Sequence, residues 1–144
     1  MRMISFTVIG KPEPQGSTRA FVPKGWKRAI ITSANKNLKP WRQDVADMAI
    51  LAMKEANQSL VVRPGAVRVT ARFYFDRPKS QKKAQFKTTA ADVDKLVRSL
   101  FDSMSGVCYE DDAQVVECIV NKRYGQPARA EIAVERYEPG AQLL

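Results

Sequence analysis

Residues 66–75, Ala-Val-Arg-Val-Thr-Ala-Arg-Phe-Tyr-Phe, constrain the fold more than any other stretch. Their period of two puts Val67, Val69, Ala71, Phe73 and Phe75 on one side of a strand. Arg68, Thr70, Arg72 and Tyr74 take the other side, which is polar and positively charged. Such a strand needs partners along its edges and a layer over its apolar face. Residues 3–9, with Ile4, Phe6 and Val8 on one side, read as a second half-buried strand. Residues 114–124 and 129–137 read as two more, joined by the turn Gly125-Gln126-Pro127. The spacing predicts helices over 40–57 and 94–105. Trp41, Val45, Met48, Ala49 and Ala52 form the stripe of the first, which opens on Pro40. Leu96, Val97, Leu100, Phe101 and Met104 form that of the second, which Gly106 ends.

The remaining segments are loops. Gly10 to Gly16 carries turn chemistry, and Val61 to Gly65 reads as a linker. Residues 17–36 set Arg19, Lys24, Lys27, Arg28 and Lys36 beside Phe21 and Trp26 without an acid. A short hairpin with Ala29–Thr32 as its second arm fits there. That mixture could hold phosphates and stack bases, or be an exposed loop whose Trp26 fills a core edge. Residues 77–87 carry Arg77, Lys79, Lys82, Lys83 and Lys87, show no period, and read as a mobile loop. A length of 144 residues suits one domain, 1–144, with 138–144 as a flexible tail.

Charge is unevenly spread. Residues 1–91 hold 18 basic and 5 acidic residues, whereas 92–144 hold 6 and 10. A basic part attracts a polyanion, and an acidic cluster repels one unless a cation sits on it. Nucleic acid with a bound metal reconciles the two; a basic protein with ordinary salt bridges is the alternative. The sequence contains no histidine, which excludes histidine-dependent triads, general bases and zinc sites. Two cysteines are too few for a disulfide framework and read as reduced thiols of a cytoplasmic protein. No apolar run approaches membrane-spanning length.

Against this background Asp92, Asp94 and Asp112 stand out. One aspartate at the start of the second helix is an ordinary N-cap, but capping does not account for two, nor for the triplet Glu110-Asp111-Asp112. A 12-residue helix climbs roughly 17 Å, and an extended chain from Gly106 to Asp112 can travel back about 20 Å. Asp112 can therefore return to the helix start, where Asp92 and Asp94 sit. Three carboxylates so placed suit Mg²⁺, a hard cation that keeps water and phosphate oxygens as its other ligands. Arg98 lies one turn after Asp94 and one before Asp102. It could pair with Asp102 or point at charge developing on a phosphate, with Lys95 as a second cation. Without histidine, metal-bound water is the obvious nucleophile and phosphodiester hydrolysis the obvious reaction. The absence of any (Asp/Glu)-x-Lys tripeptide argues against the nuclease superfamily built on that element.

The stretch from Asp92-Val93-Asp94-Lys95 through Arg98, followed by Asp111-Asp112-Ala113-Gln114-Val115, resembles the RusA family of Holliday junction resolvases, small endonucleases typical of phages and prophages. The family pattern is Asp-x-Asp-Asn, a lysine four residues after the second aspartate, then Asp-Asp-Ala-Gln-Val. The resemblance implies an α+β fold, a mixed sheet packed with two main helices, and a homodimer acting on four-way DNA junctions with Mg²⁺, or Mn²⁺ in its place. It makes Asp92, Asp94 and Asp112 the metal ligands, in a bacterial cell or a phage-infected host. Arg98 falls on the family's lysine and Lys95 on its asparagine. Arginine keeps the charge but gives up proton transfer. Arg19, Lys24, Lys79, Lys82, Lys83 and Lys87 are the residues expected to hold the DNA backbone. The rival reading is a non-catalytic junction- or single-strand-binding protein on the same fold.

Overall fold

The computed structural model describes residues 3–16, 18–33, 35–138, 140 and 142. The elements run β1 (Ile4–Ile9), β2 (Thr18–Phe21), β3 (Ile30–Ser33), α1 (Leu38–Glu55), β4 (Val67–Phe75), α2 (Val93–Met104), β5 (Val115–Tyr124) and β6 (Arg129–Arg136). The alternating segment, β4, lies inside a four-stranded sheet of order β1-β6-β4-β5. It pairs antiparallel with β6, setting Ala71 opposite Ile132, and β6 in turn sets Ile132 opposite Phe6 of β1. Its other neighbour, β5, runs parallel. The sheet is therefore mixed and the fold is α+β, as expected.

The period-two reading of β4 holds along its length. Val67, Val69, Ala71, Phe73 and Phe75 are all buried, and the apolar positions of β1 and β6 share their side. The two helices cover this face. Trp41, Val45, Ala49 and Met53, every fourth residue of α1, enter the core, and so do Leu96, Leu100 and Met104 of α2. Because β4 and β5 are parallel, the chain must cross over between them, and α2 is that crossover. Its N-terminus consequently lies at the carboxyl end of β4, where open α/β sheets commonly receive ligands.

A buried serine and a backbone bond fix the turn after β1 onto α2. Ser99 Oγ donates to the Glu13 carbonyl at 2.8 Å, and the Gln15 N–H donates to the Lys95 carbonyl at 2.9 Å. The approach is so close that a Cβ on Gly16 would lie 2.2 Å from Lys95 Cδ.

Several boundaries and loops differ from the expectations. The first helix starts at Leu38 rather than residue 40, because Pro40 is tolerated anywhere in a first turn. It ends at Glu55, two residues early, where Asn57 adopts a left-handed φ of 53°. The second helix begins at Val93 and ends at Met104. Gln114 belongs not to β5 but to a short 3-10 turn, Asp112–Gln114, closed by reciprocal side-chain bonds between Asp111 and Gln114. The supposed linker is partly core: Val61 is buried and its N–H donates to the Cys108 carbonyl at 2.9 Å. The lysine-rich segment is anchored rather than loose, since the Tyr124 N–H donates to the Gln85 carbonyl at 2.9 Å and Ala84 packs on the core. The hairpin in 17–36 forms as β2 and β3, a separate two-stranded sheet. Trp26 is 59% exposed, so it does not fill a core edge. Part of the expected 138–144 tail lies outside the described residues.

Gln114 is the brace of this arrangement. Its buried amide donates to the Val61 and Gly65 carbonyls, both at 2.9 Å, and its oxygen accepts from the Asp111 N–H. Gln114→Ala removes these bonds, leaving the Gly65 carbonyl and the Asp111 N–H without this partner, and is expected to cost about 1–3 kcal/mol. Urea unfolding of the two proteins measures it, and an unchanged midpoint would count against the brace.

Candidate active site

Asp92 occupies the N-cap position of α2 with extended backbone, yet its side chain makes no capping hydrogen bond. The ordinary structural role of an aspartate at this place is thus not the one it plays. Asp94 follows in the first turn, and both carboxylates are exposed. Lys95 Nζ donates to Asp94 Oδ2 at 2.8 Å, and that bond holds the Asp94 carboxyl below the usual range. The same bond raises Lys95, to which Asp92 adds and which Arg98 opposes. Asp92, Asp94, Lys95 and Arg98 therefore share one electrostatic neighbourhood within the first two turns of α2.

Arg98 is exposed, and among the described residues it forms no ion pair with Asp102. Asp102 instead accepts a hydrogen bond from the Gln15 side-chain amide. The guanidinium is left pointing into solvent from the helix that carries the two aspartates.

Asp112 does not sit where the extended-chain argument puts it. It opens the 3-10 turn after Asp111. Its carboxyl is raised by desolvation first, then by the negative charges of Asp111 and Asp102. One of those neighbours, Asp102, belongs to the far half of α2, about 12 Å along the axis from Asp94 at the helical rise between residues 94 and 102. Among the described residues no three carboxylate, thiol or imidazole side chains lie close enough to hold a metal. The reason is local: the Asp111–Gln114 capping pair and the Gln114 bonds to 61 and 65 fix this turn against the segment that leads into β4.

The cations divide in the same way. Lys24, Lys82 and Lys83 are exposed on loops, and Lys79 is exposed in a short 3-10 turn, Lys79–Gln81. Arg19 lies in β2, and its side chain falls outside the described ones. Lys87 is different. It is half-buried, its ammonium lies 5.3 Å from the centroid of the Phe75 ring, and it lines a cleft of about 630 Å³ with Lys11, Asp92 and Lys95. Partial burial, then Lys122 and Lys11, hold Lys87 below the ordinary lysine range.

Sequence reasoning missed Lys11 and Lys122. The Lys122 ammonium, on β5, donates to the Thr89 carbonyl and, at 2.6 Å, to that of Ala91, so it secures the chain immediately before Asp92. Nothing in the sequence signals a bond across 31 residues. Lys39 and Arg42 were also missed, though with Lys36 their spacing of three marks one side of a helix start. They line a second groove, of about 600 Å³, that ends at Asp102.

The sequence matches the family described as Endodeoxyribonuclease RusA over residues 10–135. It is 28% identical over 145 residues to Uncharacterized protein YqaN of Bacillus subtilis (strain 168), an alignment that covers 93% of this chain and 96% of that protein.

Carboxyl titration by NMR tests the two electrostatic groups. In Lys95→Met the Asp94 carboxyl should titrate higher, because it loses the ammonium that favours its charged form. In Asp102→Asn the Asp112 carboxyl should titrate lower, because one repelling charge is gone. An Asp112 value that follows Lys95→Met but not Asp102→Asn would mean that Asp112 sits at the helix start after all.

Proposed function

This chain belongs to the RusA family of endodeoxyribonucleases, and we propose that it resolves four-way (Holliday) DNA junctions by paired, symmetric nicks, as a divalent-metal-dependent homodimer. The observation that carries this reading is the pairing at one helix start of two exposed aspartates, one of them an N-cap that does not cap, with two cations. That start adjoins a cleft lined by further lysines.

The donor chemistry fits a hard cation. Asp92 and Asp94 offer exposed carboxylate oxygens, the ligand type of Mg²⁺ or Mn²⁺. Asp112 would be the third ligand, which requires the braced Asp111–Gln114 turn to rearrange so that Asp112 leaves Asp102 and approaches the start of α2. When bound, the cation supplies an activated water and steadies phosphate oxygens. The protein's own groups do the rest. Arg98, without an ion pair among the described residues, places its charge where negative charge grows on the phosphate. A guanidinium supplies charge rather than a proton-transfer route, so its part is charge stabilisation. Lys95, paired with Asp94 in the free protein, is the second cation available to the phosphate. Lys24, Lys79, Lys82 and Lys83 would hold the backbone without reading sequence. Two-fold symmetry would set two such sites against opposing strands.

The test compares a labelled four-way junction with matched linear duplex, with and without Mg²⁺. Paired nicks confined to the junction and dependent on metal are expected. Asp94→Asn should abolish cleavage and keep junction binding, and Arg98→Ala should slow cleavage on the order of 10²–10³-fold. Full cleavage by Asp94→Asn would overturn the site. Tight junction binding without cleavage in Mg²⁺ or Mn²⁺ would make this chain a binding protein on a nuclease fold.

A further inference from the structure

Building on the nuclease reading above, we propose that the cleft beside Asp92 is a nucleotide subsite. It takes one unstacked deoxynucleotide next to the cut phosphate, and its buried carboxylate, Glu13, favours bases that carry an amino group over thymine.

The cleft is large enough and has the right chemistry. Its volume of about 630 Å³ falls within the ~300–1,000 Å³ of small-molecule sites. Lys11, Lys87 and Lys95 reach it from three segments, the turn after β1, the loop before α2 and α2 itself. Like charges converging this way repel one another, and a phosphate between them relieves the repulsion. Phe75 and Ala91 supply apolar wall. Asp92 lines the same cleft, so a nucleotide held there carries its phosphate to the candidate cutting site.

Glu13 gives the cleft its selectivity. It is only 8% exposed, yet among the described residues it forms no salt bridge, although three lysines line the same space. Its Oε2 accepts from Asn35 Nδ2 at 2.9 Å, and its backbone is pinned by Ser99. A carboxylate offers about four acceptor positions, so one amide bond leaves capacity for a further donor. Cytosine, adenine and guanine present exocyclic amino donors, whereas the one edge donor of thymine, its N3–H, is flanked by two carbonyl oxygens that a carboxylate repels. A base stacked in duplex DNA cannot enter a cleft, so its occupant is an unstacked one, of the kind a branch point exposes.

Mononucleotide binding decides the matter without cleavage. The metal-free protein is titrated with dGMP, dCMP, dAMP, TMP and deoxyribose 5-phosphate by calorimetry. The three amino-bearing nucleotides should bind roughly five-fold or more tighter than TMP, and all four tighter than the sugar phosphate. Glu13→Gln should erase the discrimination against TMP, and Lys87→Ala should weaken all four alike. Should Glu13→Gln fail to fold, the wild-type series and Lys87→Ala still decide. Equal affinity for TMP and the others, or for nucleotides and the sugar phosphate, would overturn the subsite. Because neither metal nor cleavage enters the titration, an uncut junction counts against the nuclease reading alone. Base-blind binding by an active nuclease counts against the subsite alone.

Discussion

The burial of Leu96, Leu100 and Met104 in the same core as the apolar side of β4 sets where the rest of the site can be. These three residues, four apart, leave α2 one rotation about its axis. The parallel pairing of β4 with β5 leaves it one direction, with its N-terminus at the carboxyl end of β4. Asp92, Asp94, Lys95 and Arg98 then project from the uncovered part of the helix start. Ser99, buried between the Leu96 and Glu13 carbonyls, extends the same constraint to the turn after β1. The cleft wall and the carboxylates are in this sense consequences of one packing interface.

Electrostatics then divides the acids into two groups. At the start of α2 the carboxylates have cations beside them, and Asp94 is stabilised in its charged form. Near the far half of the helix Asp112 has acids beside it and is destabilised in that form. A polyanion approaching the basic loops meets the first group already balanced and the second group repelling it. Bringing Asp112 to Asp92 and Asp94 concentrates negative charge further, and only a bound cation makes that arrangement favourable.

Much of this was legible in the sequence for simple reasons. A strict period of two over nine residues admits no helix, so β4 and its buried face were read correctly. The same holds for the four-residue spacing in both helices. What escaped was long-range. The parallel arrangement of β5 beside β4 leaves no mark in either strand, and the Lys122 bond to the chain before Asp92 depends on it. Asp112 shows the limit of reach arguments: an extended chain is long enough to bring it to Asp92, but the Asp111–Gln114 turn uses that length otherwise. Gln114 looked like part of a motif and proves to be a structural brace. Glu13, in a stretch read only as turn chemistry, is buried because Ser99 holds its backbone.

The proposed site requires Asp92, Asp94 and Asp112, apart in the free chain, to come together around one cation. Electron paramagnetic resonance of Mn²⁺ binding, measured with and without an uncleavable four-way junction, addresses it directly. With the junction present, Asp94→Asn and Asp112→Asn should each weaken Mn²⁺ binding, and without it only Asp94→Asn should. If Asp112→Asn binds Mn²⁺ as the wild type does when the junction is present, Asp112 is not a ligand and the three-aspartate site is wrong.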